Sequence, residues 1–328
     1  MHTLFLRFLK EMQNKGSLNY SVRHPLYKSS TFGIGGKAKY FLLPKTEDAL
    51  IETIKAAEKE NIPYIVIGNA SNLLFDDSGY CGAVISTVKM SGIFFIEEKH
   101  TGRNLLFALC GAKLPVLSGK ALQYGLRGFE GLCSIPATVG GALCSNAGAF
   151  GSEISDFLEC VKVFSVKEDK VIVKNKNDCV FSYRKSRAAE QGEIILSACF
   201  SCEKGDAAEI AEKMQLYKAK RYASQPVGVK SCGCYFKTPN ESFWEDSKGK
   251  SLSAGALIDS CGLKGLSYGS AAVSEIHGNF LINTEEKGSS EDVLKLARIV
   301  KDAVYSKTGI ALSEEVVYVP NPKKKFVN

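Results

Sequence analysis

Residues 135–154 constrain the fold of this chain more than any other segment, because small residues crowd the sequence IPATVGGALCSNAGAFGSEI. Glycine at this density weakens ordinary helices and strands. The segment therefore predicts backbone that is shaped around a flat or anionic ligand. Neither G-x-G-x-x-G after a strand nor G-x-x-x-x-G-K-[ST] occurs here, so the two commonest nucleotide-binding fingerprints are absent.

A second loop of small residues follows the clearest secondary-structure pattern in the chain. Residues 46–61 carry apolar side chains at helical spacing after Thr46, a suitable N-cap, which predicts an amphipathic helix. The apolar run 62–68 (IPYIVIG) predicts a strand that is buried on both faces. The loop at 68–72 (GNASN) is either a tight turn or a nest of backbone N–H groups that binds phosphate.

Length and charge limit the range of functions. A chain of 328 residues has room for about two domains. The 42 basic and 35 acidic residues give a net charge of +7, which is compatible with an anionic ligand. Apart from the tail Lys323, Lys324 and Lys325, the basic residues are dispersed and are not interleaved with aromatic residues. Nucleic-acid binding is therefore not predicted.

Cysteine usage and hydropathy indicate the compartment. The eleven cysteines lack the dense spacing of a small secreted domain, which predicts reduced thiols and a cytoplasmic location. Arg7 and Lys10 interrupt the first apolar run, so no signal peptide is expected. No apolar run approaches the ~18 residues of a membrane span, and we expect no membrane partner.

Two further helices are predicted, at 206–222 and at 290–307, the second of them ending at Gly309. A short polar segment, residues 200–208, precedes the first of these helices. We place a domain boundary in that segment.

Three side chains lie in settings that suit catalysis, and each has a structural alternative. Arg184 follows an aromatic residue and either grips a carboxylate in a bidentate way or is an ordinary surface charge. Cys234 lies between a glycine and an aromatic residue and is either a proton donor or nucleophile, or a structural thiol. Glu315 precedes a β-branched strand and is either solvated or held in a pocket beside an anionic intermediate.

The cysteine spacing does not predict a metal site. Cys199-x-x-Cys202 and Cys232-x-Cys234 supply four thiols, but the second pair is one residue short of a zinc ribbon. Cys199 of the first pair lies within a predicted buried strand at 194–200. This pair does not open a helix, as the redox pair of thioredoxin-like proteins does. We therefore predict neither zinc binding nor a CxxC redox centre.

Six motifs, taken in order, resemble the UDP-N-acetylenolpyruvoylglucosamine reductase family over residues 30–319. They are STFGIGG at 30–36, GNASNLL at 68–74, IPATVGGA at 135–142 with NAGA at 146–149, YRKS at 183–186, AGALIDSCGLKG at 254–265 and VSEIHGNF at 273–280. Each motif alone is weak, whereas their common order is specific.

The resemblance implies an α+β protein in two parts. The first, residues 1–204, would be an FAD-binding region like that of the vanillyl-alcohol-oxidase (PCMH-like) flavoproteins, with subdomains at about 1–86 and 87–204. The second, residues 205–328, would be an α+β substrate-binding domain. FAD would be bound without a covalent link, and NADPH would reduce it. We expect a monomer whose partners are NADPH and a small UDP-sugar substrate.

The resemblance also implies a reaction in peptidoglycan precursor synthesis, the reduction of UDP-N-acetylglucosamine enolpyruvate to UDP-N-acetylmuramate. Flavin N5 would deliver hydride to the enolpyruvyl methylene carbon and leave an enolate. By motif position, Arg184 would grip the substrate carboxylate, Cys234 would protonate the enolate and Glu315 would stabilise it. The family usually has serine in the proton-donor position, and a thiol is the stronger acid.

The motifs imply ligand-binding residues as well. Those assigned to the cofactor are Ile67, Gly68, Asn69, Ala70, Ser71, Asn72, Thr138, Val139, Gly140, Gly141, Asn146, Ala147, Gly148 and Ala149. Those assigned to the substrate are Tyr183, Lys237, Thr238, His277 and Asn279. Thr238 stands where the family usually has an asparagine that helps to hold the diphosphate, so this contact is expected to differ.

Two other functions stay open. One is a different FAD oxidoreductase on the same scaffold. The other is a UDP-sugar-binding protein without catalysis, which would have no need of Arg184, Cys234 and Glu315.

Overall fold

The computed structural model describes residues 3–98, 100–239 and 253–322. The basic tail, Lys323, Lys324 and Lys325, lies outside the described residues. The helices are α1 Thr3–Asn14, α2 Glu47–Lys59, α3 Leu114–Gln123, α4 Val139–Ser145, α5 Ala207–Ser224, α6 Ala254–Ser260 and α7 Ser290–Thr308. Short 3-10 turns occupy Leu26–Ser29, Thr87–Lys89, Phe129–Leu132, Ile154–Phe157 and Lys176–Cys179.

The strands are between two and twelve residues long. They are β1 Leu18–Pro25, β2 Lys37–Pro44, β3 Tyr64–Ile67, β4 Leu73–Phe75, β5 Tyr80–Ser86, β6 Ile93–Glu98, β7 Arg103–Leu109, β8 Leu126–Arg127, β9 Gly148–Ala149, β10 Ser152–Glu153, β11 Leu158–Ser165, β12 Lys170–Asn175, β13 Glu193–Lys204, β14 Lys230–Ser231, β15 Ser267–Tyr268, β16 Ala271–Val273, β17 Leu281–Asn283 and β18 Val317–Val319. The protein is α+β, as the sequence predicts.

The chain forms two compact units that interleave along the sequence. Unit 1 contains the described residues of Met1–Val22, Tyr40–Asn69 and Gly82–Arg221. Unit 2 contains those of Arg23–Lys39, Ala70–Cys81 and Tyr222–Asn328. These units are defined by contacts and not by ligands, so the division at residue 204 into cofactor and substrate parts stays a prediction.

A six-stranded antiparallel sheet dominates unit 1. Its strand order is β12-β11-β13-β7-β6, and β8 pairs with the far end of β13. Apolar residues of α3 and α4 pack with this sheet in one buried cluster that includes Leu117, Leu143, Val161 and Phe200, all 0% exposed.

The predicted helix at 46–61 is confirmed as α2. The Thr46 side chain caps it by accepting a hydrogen bond from Ala49 N at 3.1 Å, and Leu50 and Ile54 are fully buried. The strand predicted at 62–68 is confirmed as the shorter β3, but three of its four residues are only half-buried. The expectation of burial on both faces was wrong because β3 is an edge strand in the order β1-β2-β5-β3.

Unit 2 combines a small antiparallel sheet, in the order β14-β17-β16-β15, with the parallel pair β4 and β18. The predicted helix at 290–307 is confirmed as α7, which ends at Gly309 with φ +74°. Val293, Leu296, Val300 and Val304 form its buried stripe. In unit 1, the predicted helix at 206–222 is confirmed as α5, which buries Ile210 and Met214. Among the described residues, the structure contains no helix with the length and apolar character needed to span a bilayer.

Candidate functional site

The glycine-rich segment in unit 1 folds as a seven-residue helix, α4, followed by the β9–β10 hairpin. The sequence did not predict a helix here, and packing explains the difference. A Cβ at Gly140 would lie 3.0 Å from Cys110 Cβ, so glycine lets α4 approach its neighbour closely. The Thr138 side chain caps the helix by accepting from Gly141 N at 3.3 Å.

Asn146 ends α4 in the left-handed conformation, with φ +46°, and is fully buried. Its Nδ2 donates to Glu153 Oε2 at 2.6 Å and to Ser182 O at 3.3 Å. Its Oδ1 is buried and accepts no hydrogen bond from any residue that the structure describes. An unpaired buried acceptor is costly, so this oxygen marks a place where a ligand with hydrogen-bond donors fits.

Arg184 lies on a tight turn beside this segment. Ser182 and Lys185 exchange backbone hydrogen bonds of 2.9 and 3.0 Å, and Arg184 has φ +51°. Its guanidinium donates to Gly148 O at 3.4 Å and lies 5.1 Å from the centre of the Tyr183 ring. The side chain is half-buried, so the structure places the predicted carboxylate-binding residue against the glycine-rich segment and not on an isolated surface.

The first part of the 68–72 loop meets the same segment within unit 1. A Cβ at Gly68 would lie 2.2 Å from Thr138 Oγ1, and Asn69 Nδ2 donates to Pro136 O at 2.9 Å. The carbonyl groups of Ile67 and Gly68 accept from Thr87 and Ser86 hydroxyls, each at 3.2 Å. The two stretches of small residues identified in the sequence are therefore neighbours.

The second part of that loop belongs to unit 2. Ala70 has φ +50°, and its carbonyl accepts from Thr31 Oγ1 at 3.4 Å. Asn72 Nδ2 donates to Glu315 O at 3.0 Å, while Asn72 O accepts from Val317 N at 3.0 Å. These bonds fix the backbone of Glu315 beside the loop.

Unit 2 also brings Cys234 and Glu315 together. Glu315 N donates to Tyr235 O at 2.8 Å, Phe236 bridges to Glu314, and Lys237 N donates to Ser313 O at 2.8 Å. Both Cys234 and Glu315 are half-buried. Two of the three candidate catalytic residues, distant in sequence, therefore lie on adjacent extended segments.

Asn279 holds one of these segments in place. Its Oδ1 accepts from Phe236 N at 2.9 Å and its Nδ2 donates to Phe236 O at 2.8 Å, all within the core of unit 2. His277 Nδ1 accepts from Asn279 N at 3.1 Å, and burial lowers the pKa of this histidine below its usual range. In the structure, the two substrate candidates His277 and Asn279 thus order the backbone next to Cys234.

Replacing Asn279 with alanine leaves the buried N–H and C=O of Phe236 without their side-chain partner. We expect a loss of about 2–4 kcal/mol in the free energy of unfolding, because each unsatisfied buried group costs about 1–3 kcal/mol. Urea unfolding followed by circular dichroism measures it. Asn14→Ala, at an exposed site at the end of α1, is the control. A stability equal to that of the wild type would show that Asn279 does not anchor this segment.

Comparison with known proteins decides the family. Residues 38–172 match an FAD binding domain, and residues 225–319 match the C-terminal domain of UDP-N-acetylenolpyruvoylglucosamine reductase. The reductase of Caldicellulosiruptor bescii is 38% identical over 316 residues, which is 96% of this chain and 95% of that protein. The chain belongs to the UDP-N-acetylenolpyruvoylglucosamine reductase family. The reductase of Clostridioides difficile is also 38% identical, over 90% of this chain and 91% of its own.

A solved structure agrees with the sequence comparisons. The UDP-N-acetylenolpyruvylglucosamine reductase of Thermus caldophilus superposes with a TM-score of 0.74 at 32% identity, covering 92% of this chain and 99% of that one. The predicted fold, an FAD-binding α+β region followed by an α+β domain, is therefore confirmed, as is the prediction of an FAD-dependent oxidoreductase.

The residues around α4 fit FAD. The unpaired Asn146 Oδ1 requires a hydrogen-bond donor, and FAD brings several in its ribityl and ribose hydroxyls and the flavin N–H. The close approach of Gly68 to Thr138 keeps the two small-residue stretches close together. The unpaired oxygen is independent of the family match and points to a ligand with hydrogen-bond donors at this segment of unit 1.

Sequence reasoning missed two contributors to the site. Glu153 accepts from Asn146 and caps the turn Ile154–Phe157 in a capping box with Asp156. The spacing of these two acids was the available signal. Tyr217 on α5 stacks on Phe150 at the hairpin tip, with ring centres 4.7 Å apart. No local pattern indicates that contact.

The cysteine pairs do not form a metal site. Cys199 and Cys202 both lie on β13. They are three residues apart, and successive side chains of a strand point to opposite faces, so the two thiols lie on opposite faces of the sheet. Within the ranges that the structure describes, no group of three or more histidine, cysteine or acidic side chains is positioned to hold a metal ion.

Proposed function

We propose that this chain reduces the enolpyruvyl ether of UDP-N-acetylglucosamine to UDP-N-acetylmuramate, as a cytoplasmic monomer in peptidoglycan precursor synthesis. The hydrogen bond from Glu315 N to Tyr235 O carries the proposal, because it brings a thiol and a carboxyl group onto adjacent segments of unit 2. The family relationship over 96% of the chain supports the choice of substrate.

When bound and reduced by NADPH, FAD would supply the hydride for this reaction. Arg184 binds the substrate carboxylate, since a guanidinium forms bidentate, charge-assisted hydrogen bonds with a carboxylate. Its contact with Gly148 O orients the side chain, and the positive-φ turn fixes the backbone. The positive charge also stabilises the negative charge that develops next to the carboxylate when hydride reaches the methylene carbon.

Cys234 donates the proton that completes the reduction, from Sγ to the carbon next to the carboxylate. Gly233, with φ +77°, precedes it, and the bonds from Tyr235 and Phe236 to neighbouring segments fix the backbone that follows it. A thiol has a lower pKa than the serine hydroxyl found here in most of the family, so the transfer is chemically easier. Glu315 stabilises the enolic form by hydrogen bonding.

The remaining assignments are also proposals. Residues 67–72, 138–141 and 146–149 bind FAD through backbone groups and short side chains. Tyr183, Lys237 and Thr238 contact the substrate, with Lys237 held next to Ser313 by its backbone. His277 and Asn279 contribute to the substrate site by fixing the backbone of Phe236, which follows Cys234 in the chain.

The flavin spectrum tests the proposed reaction. Purified protein should be yellow, lose its visible flavin absorbance when NADPH is added without oxygen, and regain it only when the enolpyruvyl substrate is added. UDP-N-acetylglucosamine, which lacks the enolpyruvyl group, is the matched control and should leave the flavin reduced. Recovery with that control or with an unrelated acceptor would instead indicate a different FAD oxidoreductase. An absence of reduction by NADPH would refute the proposed electron source.

A further inference from the structure

Two cysteines face each other across neighbouring strands of the unit 1 sheet. Cys160 on β11 is the Cα partner of Cys199 on β13 in an antiparallel ladder, and a shift of register lies just before it, between Leu158 and Cys160. The two thiols are close enough for each to influence the pKa of the other. Directly opposed residues of an antiparallel pair have Cα atoms about 4.5–5.5 Å apart, within the about 4.4–6.8 Å that a disulfide spans. We propose that Cys160 and Cys199 are a redox-modification site that forms a cross-strand disulfide with glutathione disulfide as the oxidant.

The strand geometry selects this pair over the CxxC spacing seen in the sequence. Cys202 lies on the opposite face of β13, where its Sγ donates to Phe200 O at 3.5 Å. All eleven cysteines belong to the described residues, and each is a reduced thiol. Cys179, whose Sγ donates to Asn175 O at 3.4 Å, is the other thiol close to Cys160, but it follows β12 in a 3-10 turn and is not a cross-strand partner.

Exposure sets the order of the two chemical steps. Cys160 is half-buried, whereas Cys199 is only 4% exposed. The Cys160 thiolate attacks one sulfur of glutathione disulfide, the S–S bond breaks, and one glutathione leaves. Cys199 Sγ then attacks the sulfur of Cys160 in the mixed disulfide and displaces the second glutathione. The two cysteine protons end on the two glutathione thiols, so two electrons pass from the protein to the oxidant.

Burial makes this reaction slow but does not prevent it. It raises the pKa of both thiols, that of Cys199 to about 12, and the neighbouring Glu159 carboxylate adds to the effect. Only a small fraction of either thiol is therefore the reactive thiolate at neutral pH. After long incubation in a redox buffer, the fraction of protein that carries the disulfide reaches its equilibrium value even if the reaction is slow.

The disulfide would close a loop of the chain that includes β12 and the turn carrying Arg184. A covalent link between residues 160 and 199 restricts the unfolded chain, and the effect grows with the length of the loop. Because both residues already face each other in the folded sheet, oxidation requires little rearrangement there. Oxidised protein should therefore melt at a higher temperature than reduced protein.

The test uses the full flavin-containing protein in glutathione buffers of increasing oxidised fraction, followed by acid quenching, alkylation and peptide mapping. We expect one cross-linked peptide pair that joins Cys160 to Cys199, and a melting temperature that rises by several degrees and returns on adding dithiothreitol. Cys160→Ser should abolish both effects. Cys202→Ser, which alters the opposite face of the same strand, should preserve them.

Three outcomes would overturn the proposal. These are full alkylation of Cys160 and Cys199 in the most oxidising buffer, a cross-link from Cys160 to Cys179, and glutathione that stays attached to Cys160. If a serine variant does not fold, the peptide map of the wild-type protein is sufficient to decide between these outcomes. None of the measurements depends on the proposed reaction, because the readouts are a covalent bond and a melting temperature.

Discussion

Replacing Cys234 with alanine should lower the rate of substrate reduction by about 10²–10⁴-fold, the usual contribution of a positioned proton donor. The rate at which NADPH reduces the flavin should not change, because that half-reaction does not involve protonation of the substrate. Stopped-flow absorbance without oxygen measures the two half-reactions separately. Cys234→Ser should retain measurable turnover, because the hydroxyl can donate a proton, although it is the weaker acid.

Cys261→Ala is the matched control for this experiment. Cys261 is also a half-buried cysteine of unit 2, but it lies at the end of α6, and its loss should leave both half-reactions unchanged. Full activity of Cys234→Ala would remove the thiol from the mechanism. Equal damage to both half-reactions would point to a folding or flavin-binding defect instead.

Replacing Gly68 with alanine should weaken flavin binding. The new Cβ would lie 2.2 Å from Thr138 Oγ1, and that hydroxyl cannot move freely because it caps α4 and Thr138 is 1% exposed. Overpacking of this kind costs about 1–3 kcal/mol, which corresponds to about 5- to 150-fold in affinity if the cost falls on the flavin-bound state. The effect is measured in two ways. One is the ratio of flavin to protein after purification, and the other is a fluorescence titration of the apoprotein with FAD.

Gly119→Ala is the control for this prediction. Gly119 lies within α3, and apart from its chain neighbours and the backbone of α3 no described atom lies within 4 Å of the position its Cβ would take, so alanine fits there without strain. The control should keep its flavin and be slightly stabilised, because alanine favours a helix more than glycine does. Flavin affinity that is equal in the two variants would show that the contact between Gly68 and Thr138 is not part of the cofactor site.

The elements that could be predicted are those with a local signal. α2 and α7 follow from apolar side chains at helical spacing, a capping hydroxyl, and in α7 a terminal glycine with positive φ. The sequence motifs also identified the residues that the structure collects around α4 and around Cys234. These features depend on residues within a few positions of one another, so they can be predicted from the sequence alone.

The amino-acid sequence by itself determined the α+β class, the principal helices, the family and the candidate residues. Only the tertiary structure decided that residues 139–145 form a helix, that β3 is an edge strand, and that Cys199 lies opposite Cys160 across the sheet. The physical reason is the range of the interactions involved. Capping and helical periodicity act over three or four residues, whereas close packing at Gly140 and cross-strand register join groups that are far apart in the chain.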